Sequence, residues 1–195
     1  MEKNFVHFIQ ERHSIREYNP SYKISKEEIE SILEVATSAP SSRNLQPWRF
    51  VVITDENVKQ EVKEMAFNQQ VFDSCSAVIA VIGDCEMYRN AEHIYQSNVE
   101  AGNMPEELKQ EKVAAIENML LAIVELGYQS CWYEGHITDV DRIGYQMAQI
   151  LGVPDDYDLV CFLPVGIAEN EVMHLRRKHL KKEHGSTDLR KSRRQ

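Results

Sequence analysis

Apolar residues recur at helical spacing near the beginning of the chain. Residues 4–12 have the pattern of a short amphipathic helix. Its inward-facing side chains are expected to be Phe5, Phe8 and Ile9. A second helix is marked more clearly, because Ser25 and Glu28 have the spacing of a capping box and Pro40 provides a stop. Its apolar stripe consists of Ile29, Ile32, Leu33 and Ala36. Two helices are therefore predicted before the first strand.

Apolar runs of strand length follow along the rest of the chain. Residues 49–54, 76–83 and 158–165 are predicted strands, and 130–133 is a shorter one. The run at 76–83 is almost wholly apolar, which is typical of a strand that is covered on both faces. Because no repeat or low-complexity linker divides the sequence, we predict one α+β domain. Its central sheet should have helices on both faces.

The helical patterns between these strands differ in polarity. Asp55 is placed to cap one helix, and Thr138 is placed to cap another that ends at Gly152. Residues 113–126 are apolar around the whole helix, which indicates burial on nearly every side. Residues 86–112 are polar, and we expect them to form exposed helices that cover a binding site.

Charge is distributed unevenly along the 195 residues, whose net charge is −9. From Arg176 onward there are nine basic and two acidic residues. Residues 1–175 therefore hold 13 basic and 29 acidic residues, a net charge of −16. An acidic body repels polyanions, so extended nucleic-acid binding is disfavoured. The basic end is either a solvated tail or a local site for a single phosphate.

Several classes of protein are disfavoured by what the sequence lacks. The longest apolar runs, 77–82 and 119–124, are far shorter than the ~20 residues of a membrane span. The first residues do not have the pattern of a signal peptide. Cysteines and histidines lack metal-site spacing, and no Gly-rich dinucleotide or P-loop motif occurs. The cysteines are Cys75, Cys85, Cys131 and Cys161. We expect reduced thiols in a cytoplasmic protein, with no metal site and no membrane or nucleic-acid partner.

Two polar segments carry candidate chemistry. In the Arg-His-Ser-Ile-Arg segment at 12–16, alternate residues face the same side if the backbone is extended. Two guanidinium groups and a hydroxyl on one side suit a phosphate or a ring with carbonyl groups, although a solvated turn is the alternative. The segment at 39–48 places hydroxyl and amide side chains between two prolines, directly before a buried strand. A rigid polar loop that Trp48 holds against the core favours a binding site.

The chain resembles the FMN-dependent nitroreductase family in three segments that occur in matching order. These are Arg-His-Ser-Ile-Arg at 12–16, Ala-Pro-Ser-Ser-Arg-Asn-Leu-Gln-Pro-Trp at 39–48, and Leu-Pro-Val-Gly at 163–166. The resemblance implies a mainly antiparallel sheet and a homodimer that binds two FMN molecules at its interface, each contacted by both subunits. The domain is expected to span residues 1–184, followed by a basic tail at 185–195.

The resemblance also implies which residues bind the cofactor. Those expected at the phosphate and the pyrimidine edge of the flavin are Arg12, His13, Ser14, Arg16 and Asn68. Those expected from the other subunit are Pro40, Ser41, Ser42 and Asn44. The basic residue that follows Asn68 in some relatives is absent here.

Two further groups of residues match the family's flavin site. In the family, the backbone at the end of one strand faces the flavin N5. Tyr133, Glu134 and Gly135 match that strand end. Glycine permits such a close backbone approach, and Glu134 is the candidate catalytic residue, although the flavin supplies the redox chemistry. The basic residues that match those on the FMN phosphate are Arg176, Arg177 and Lys178. They account for the change in charge, because one phosphate needs local cations in an acidic body. His179 departs from the family's usual proline.

The function implied by the resemblance is that of an NAD(P)H-dependent oxidoreductase. FMN accepts a hydride from NADH or NADPH, and nitroaromatic or quinone-like compounds are then reduced by ping-pong kinetics. Residues expected to stack on the acceptor, within 86–112, are Tyr88, Tyr95 and Met104. Two alternatives remain open: a specialised branch that is dehalogenase-like or flavin-fragmenting, and a flavin-binding protein without turnover.

Overall fold

The computed structural model describes residues 5–84, 106–134, 137 and 143–171. The helices are α1 (Phe5–Glu11), α2 (Lys26–Thr37), α3 (Glu56–Met65), α4 (Val71–Ser74), α5 (Glu106–Glu125) and α6 (Ile143–Ile150). The strands are β1 (Trp48–Ile53), β2 (Ala77–Asp84), β3 (Gln129–Ser130) and β4 (Tyr157–Gly166). A short 3₁₀ turn, Ser42–Asn44, precedes β1. The family-based domain limit at residue 184 and the tail at 185–195 lie outside the described residues.

The described strands form one antiparallel sheet in the order β1-β2-β4-β3. All eight residues of β2 are buried, because β2 lies between two strands and both of its faces are covered. The register shifts between Val81 and Ile82, whose partners on β4 are Cys161 and Leu159, so Val160 is the extra residue of a bulge. The predicted α+β fold with a mainly antiparallel sheet is confirmed.

Helices cover both faces of the sheet, and alternate residues of β2 point to different helices. On one face, Ile79 and Val81 pack with side chains of α2 and α5, such as Ile32 and Ile116. On the other face, Val78, Ala80 and Ile82 pack with side chains of α3, α4 and α6. The predicted two-sided core is therefore present.

Local signals placed the starts of α2 and α3 correctly. The Ser25 hydroxyl accepts a hydrogen bond from the Glu28 backbone N–H at 3.1 Å, and the Glu28 carboxylate accepts one from the Ser25 N–H at 2.9 Å. The backbone N–H and the hydroxyl of Ser25 both donate to the Glu28 carboxylate, which holds the pKa of Glu28 below its usual value. Asp55 caps α3 by accepting hydrogen bonds from the backbone N–H groups of Asn57 and Val58. The cap predicted at Thr138 lies outside the described residues.

Three expectations about burial were wrong. Ile9 is 39% exposed rather than inward-facing, and Val113 is 48% exposed although its helix was predicted to be buried all round. Helix α5 also begins at Glu106, and Lys112 is fully buried although 86–112 was predicted to be exposed. Lys112 can be buried because it crosses β2 at a glycine: a Cβ on Gly83 would collide with the Lys112 Nζ. The remainder of the predicted cover, with Tyr88, Tyr95 and Met104, lies outside the described residues.

Three of the four cysteines lie in the described part of the chain, and all three are buried free thiols. Burial raises the pKa of the Cys75 thiol to about 12 and raises those of Cys131 and Cys161 as well. A thiol with a raised pKa forms little thiolate, so these side chains act as small apolar residues of the core. Among the described helices, none has the length and apolar composition that a membrane span requires.

Candidate active site

The segment at 12–18 runs along the sheet edge beside β3 in an extended conformation. Ser14 forms a parallel bridge with Ser130, and the Ile15 N–H donates to the Ser130 carbonyl at 3.0 Å. The Ile15 side chain packs against the core, whereas Ser14 and Arg16 are exposed on the other side. The predicted alternation therefore holds for Ser14 and Arg16.

Arg12 and His13 follow a different course. The Arg12 side chain is 20% exposed, and its Nε lies 3.9 Å from the Glu117 carboxylate on α5. The His13 ring lies with its Nδ1 2.7 Å from the Glu11 carbonyl oxygen. Arg12 therefore extends toward α5, while Ser14 and Arg16 face an open cleft. The cleft has a volume of about 270 Å³ and is lined by Ser14, Ile15, Arg16, Glu17, Ala168, Asn170 and Glu171.

Tyr18 holds this segment to the sheet. Its ring is fully buried, and its hydroxyl lies 2.6 Å from the Ile15 carbonyl oxygen and 3.1 Å from that of Pro164. Burial raises the pKa of Tyr18 far above its usual value, so the hydroxyl stays protonated and donates. The ring lies directly on Gly166, where a Cβ would come within 2.8 Å of the ring atoms. The Leu-Pro-Val-Gly segment thus supplies the space in which Tyr18 packs.

The turn after α3 presents Asn68 in an uncommon backbone conformation. Phe67 and Asn68 both have φ of 55°, in the left-handed region that few non-glycine residues adopt. The Asn68 N–H donates to the Lys63 carbonyl at 2.9 Å. The Tyr133 hydroxyl donates to the Ala66 carbonyl at 3.3 Å, so the turn meets the strand end that was predicted to face the flavin.

The predicted strand at 130–133 was wrong in extent, because β3 ends at Ser130 and Tyr133 forms only an isolated bridge, yet this stretch is held by backbone pairing and by two aromatic rings. Tyr133 exchanges backbone hydrogen bonds with Phe162 at 2.9 Å each, and its ring lies edge-on to Phe72 at 5.2 Å. Partial burial raises the pKa of the Tyr133 phenol. The Trp132 indole N–H donates to the Glu134 carboxylate at 2.9 Å and thereby fixes its direction. Gly135 lies outside the described residues.

The loop before β1 is folded by its own hydrogen bonds. The Gln46 N–H donates to the Ser41 hydroxyl and the Asn44 N–H to the Ser41 carbonyl, both at 3.0 Å. Arg43, Asn44 and Gln46 have φ between 51° and 59°. Within the described residues, the five non-glycine residues with left-handed backbone all lie in this loop or at Phe67–Asn68. Such costly conformations cluster at functional sites, and both turns match predicted flavin contacts. Pro40 is exposed here, and the Ser42 side chain is not described.

The two halves of the predicted site are far apart within one chain. The loop leads into Trp48, which pairs with Gly83 near the end of β2. Segment 12–16 pairs with Ser130, which lies beside Val165 and thus at the level of Ala77, where β2 begins. Because β1 and β3 are also the two edges of the sheet, Trp48 and Ser130 lie at diagonally opposite corners. Segment 12–16 pairs with Ser130, and the Asn68 turn meets Tyr133 three residues further along the chain, whereas the cleft beside Ser14 and Arg16 is lined by residues of 14–17 and 168–171. Arg176, Arg177 and Lys178 lie outside the described residues.

Sequence reasoning missed Tyr18 as a residue of this region. Alternation from Ser14 and Arg16 would place Tyr18 in solvent, but residues 16 and 17 are both exposed, so the alternation changes phase before Tyr18. Its aromatic character was the available signal, since a tyrosine in a short polar segment often packs its ring and donates its hydroxyl.

The chain is similar to proteins of one known family. The family model described as "Nitroreductase family" matches residues 9–167, which include all three recognised segments. The "Putative NAD(P)H nitroreductase YdgI" of Bacillus subtilis is 47% identical over 114 residues, which are 58% of this chain and 54% of the relative. A "Putative NADH dehydrogenase/NAD(P)H nitroreductase" of Archaeoglobus fulgidus is 32% identical over 160 residues, covering 82% of this chain and 83% of the relative.

A solved structure extends the comparison to three dimensions. It is that of a "putative nitroreductase in complex with FMN" from Exiguobacterium sibiricum, with a TM-score of 0.75 and 31% identity over 90% of this chain and 93% of that chain. The chain spans about half the length of two curated relatives from Bacillus subtilis, 54% of YdgI and 53% of "Putative NAD(P)H nitroreductase YodC". The family model covers all three segments, and the fold is shared with the Exiguobacterium sibiricum protein, so this chain belongs to the nitroreductase family.

Proposed function

We propose that this chain is an FMN-dependent oxidoreductase that uses NADH or NADPH to reduce nitroaromatic or quinone-like acceptors. The observation that carries the proposal is the pairing of segment 12–16 with Ser130, three residues before Tyr133, which in turn meets the turn that carries Asn68. The relative from Exiguobacterium sibiricum was solved with FMN, which supports the same cofactor here. The reduced thiols support a cytoplasmic location.

The residues present fit a flavin mononucleotide. The Arg16 guanidinium and the Ser14 hydroxyl face the open cleft, where they can donate to phosphate oxygens or ring carbonyls. We assign Arg12 and His13 to the same end, Asn68 to the pyrimidine edge and the basic residues Arg176, Arg177 and Lys178 to the phosphate. The backbone of Tyr133, Glu134 and Gly135 is assigned to the flavin N5. FMN, when bound, supplies the redox chemistry by accepting a hydride and releasing electrons to the acceptor.

The protein's own contribution is binding, orientation and electrostatics. Tyr18 keeps segment 12–16 extended, so that its donors stay aligned with the cleft. Trp132 holds the Glu134 carboxylate, the candidate catalytic group, in one direction beside the strand end. Since one site per cofactor serves both substrates, donor and acceptor bind in turn, and steady-state kinetics should be ping-pong.

The test of this function is optical and kinetic. The purified protein should be yellow, and NADH or NADPH should bleach it without oxygen, because the reduced flavin lacks the visible band. Adding a quinone or a nitroaromatic compound should restore the colour, and double-reciprocal plots should be parallel. A yellow protein that neither nicotinamide bleaches would instead be a flavin-binding protein without turnover. A protein that does not retain or take up FMN would overturn the proposal.

We also propose that the active unit is a homodimer whose loop 40–46 completes the partner's site. Its four assigned residues are Pro40, Ser41, Ser42 and Asn44. The loop and the cleft lie at opposite corners of one chain, so a second copy is the simplest source of the loop at each cleft. An apolar groove of about 710 Å³ between α1, α2 and α5 supports this arrangement. It is lined by Phe8, Ser31, Val35, Asn118, Leu121, Ala122, Glu125 and Leu126.

The dimer can be tested by placing a charge in the groove. Val35 is 42% exposed in one chain, so Val35→Glu should leave the fold intact while it opposes burial of the groove. We expect sedimentation to show a dimer for the parent protein and mainly monomer, with low FMN occupancy, for the variant. Lys26→Glu, on an exposed position of the same helix, is the control. An FMN-saturated monomer at micromolar concentration would contradict the proposal.

A further inference from the structure

The turn that presents Asn68 is unfavourable by itself. Phe67 and Asn68 adopt left-handed backbone conformations, and the Phe67 ring is exposed in this structure. Residues in such conformations persist when their surroundings determine them from several sides. The contacts that bracket the turn, rather than the turn's own sequence, must therefore keep Asn68 in place.

Lys63 contacts both ends of this turn. Its carbonyl accepts the hydrogen bond from the Asn68 N–H at 2.9 Å, as the last residues of α3 lead into the turn. Its Nζ crosses to the Asp73 carboxylate on α4, at 2.7 Å, where the chain leaves the turn. The backbone and the side chain of one residue thus bind the two sides of a loop that carries a predicted cofactor contact.

A second lysine one helical turn earlier keeps the two helices together. Lys59 is almost completely buried; its Nζ donates to the Cys75 carbonyl at 3.0 Å and pairs with Glu56 at 2.9 Å. Lys59 and Lys63 are four residues apart, so they lie on the same face of α3, toward α4. Lys59 already links α3 to the end of α4 from within the core. The partly exposed pair of Lys63 and Asp73 is therefore not needed for that link, and its effect is confined to the turn.

We infer that Lys63 is a positioning residue for the flavin, acting through Asn68, with Asp73 as its required partner. The inference rests on the proposed function, in which Asn68 meets the pyrimidine edge of FMN. The side chains of Lys63 and Asp73 are 18% and 45% exposed, so the Asp73 carboxylate stays solvated when the lysine charge is removed and no buried charge is left unpaired. Their effect should therefore be seen in cofactor binding and not in the unfolding of the chain.

The test measures FMN binding and unfolding in the same set of full-length variants. Lys63→Met keeps the apolar stem and removes the charge, and we expect it to raise the FMN dissociation constant about fivefold. Asp73→Asn should have a similar effect, and the visible absorption band of the remaining bound flavin should shift in both. Urea midpoints should stay at the parent value. Lys26→Met, which removes the exposed pair with Glu30 at 3.5 Å, is the matched control and should change neither quantity.

Two combinations separate positioning from a merely structural role. In an Asn68→Ala background, Lys63→Met should have no further effect on FMN binding, because the residue through which it acts is gone. The charge reversal Lys63→Asp with Asp73→Lys should restore most of the binding. Equal effects of Lys63→Met with and without Asn68, or no rescue by the reversal, would overturn the inference. If Asn68→Ala itself leaves FMN binding unchanged, the assignment of Asn68 under the proposed function fails instead.

Discussion

Replacing Gly166 with alanine is expected to lower the free energy of unfolding by about 2–3 kcal/mol, the upper part of the range for overpacked cores. The added Cβ would lie 2.8 Å from two ring atoms of Tyr18 and 2.9 Å from its Cβ. The ring is fully buried and cannot rotate away, so either β4 or segment 12–18 must shift. Urea unfolding at constant pH measures the change, and FMN affinity should fall with it, since Arg16 and Ser14 are carried by the displaced segment.

The same experiment in a second background shows whether Tyr18 is the cause. Tyr18→Ala removes the two ring atoms that the new Cβ would meet, so the additional cost of Gly166→Ala should become smaller in that background. If Gly166→Ala is neutral in the parent protein, or equally costly without the ring, then Tyr18 does not hold segment 12–16 against β4.

Arg16→Ala is expected to weaken FMN binding about tenfold to a hundredfold. A hydrogen bond to a charged group contributes ~1.5–3 kcal/mol, and ~1.4 kcal/mol corresponds to a factor of ten in affinity. Arg12→Ala should have a comparable effect, because its guanidinium, near Glu117, is assigned to the same end of the cofactor. Binding should also weaken as salt is added, as expected for a phosphate held by exposed cations.

Isothermal titration of the apoprotein with FMN measures both variants, and Lys23→Ala provides a control. Lys23 is an exposed cation whose Nζ pairs with Glu56 at 3.6 Å, away from the cleft. If Arg12→Ala and Arg16→Ala both leave the FMN affinity unchanged, the phosphate lies elsewhere. The basic residues at 176–178 would then be the remaining candidates for its site.

The fold was predictable where a local signal or a complete pattern exists. Helix caps depend only on neighbouring residues, as at Ser25 with Glu28 and at Asp55. The uniformly apolar sequence of β2 predicts a central strand of the sheet. Ile9 and Val113 were assigned wrongly because an apolar position shows that a side chain should be covered, but not by what. The two lysines that are buried in the described part of the chain had no signal, since Lys112 depends on the space above Gly83 and Lys59 on a carbonyl sixteen positions away in sequence.

The sequence predicted which segments form the candidate site, but it predicted their arrangement in space less well. Alternation placed Ser14 and Arg16 correctly, because a strand neighbour keeps the backbone extended at those residues. Arg12 directly follows α1 and extends to Glu117 on α5, a tertiary contact that spacing cannot show. Asn68 is a residue type enriched in left-handed conformations, but the neighbouring Phe67 has no such preference, so the turn itself could not be predicted.

The connectivity of the sheet has a consequence for how the protein folds. None of the described strand pairs is a hairpin: β1 pairs with β2 across α3 and α4, and β2 pairs with β4 across α5, β3 and α6. Such non-local pairings lose much chain entropy before any contact forms, so folding should be slow for a chain of this length. The cleft depends on Ser130, Val165 and Ala77 being side by side, so it should be among the last features to form. A cofactor that binds only the completed cleft would then act mainly by slowing unfolding, and its presence during refolding should not accelerate the early steps.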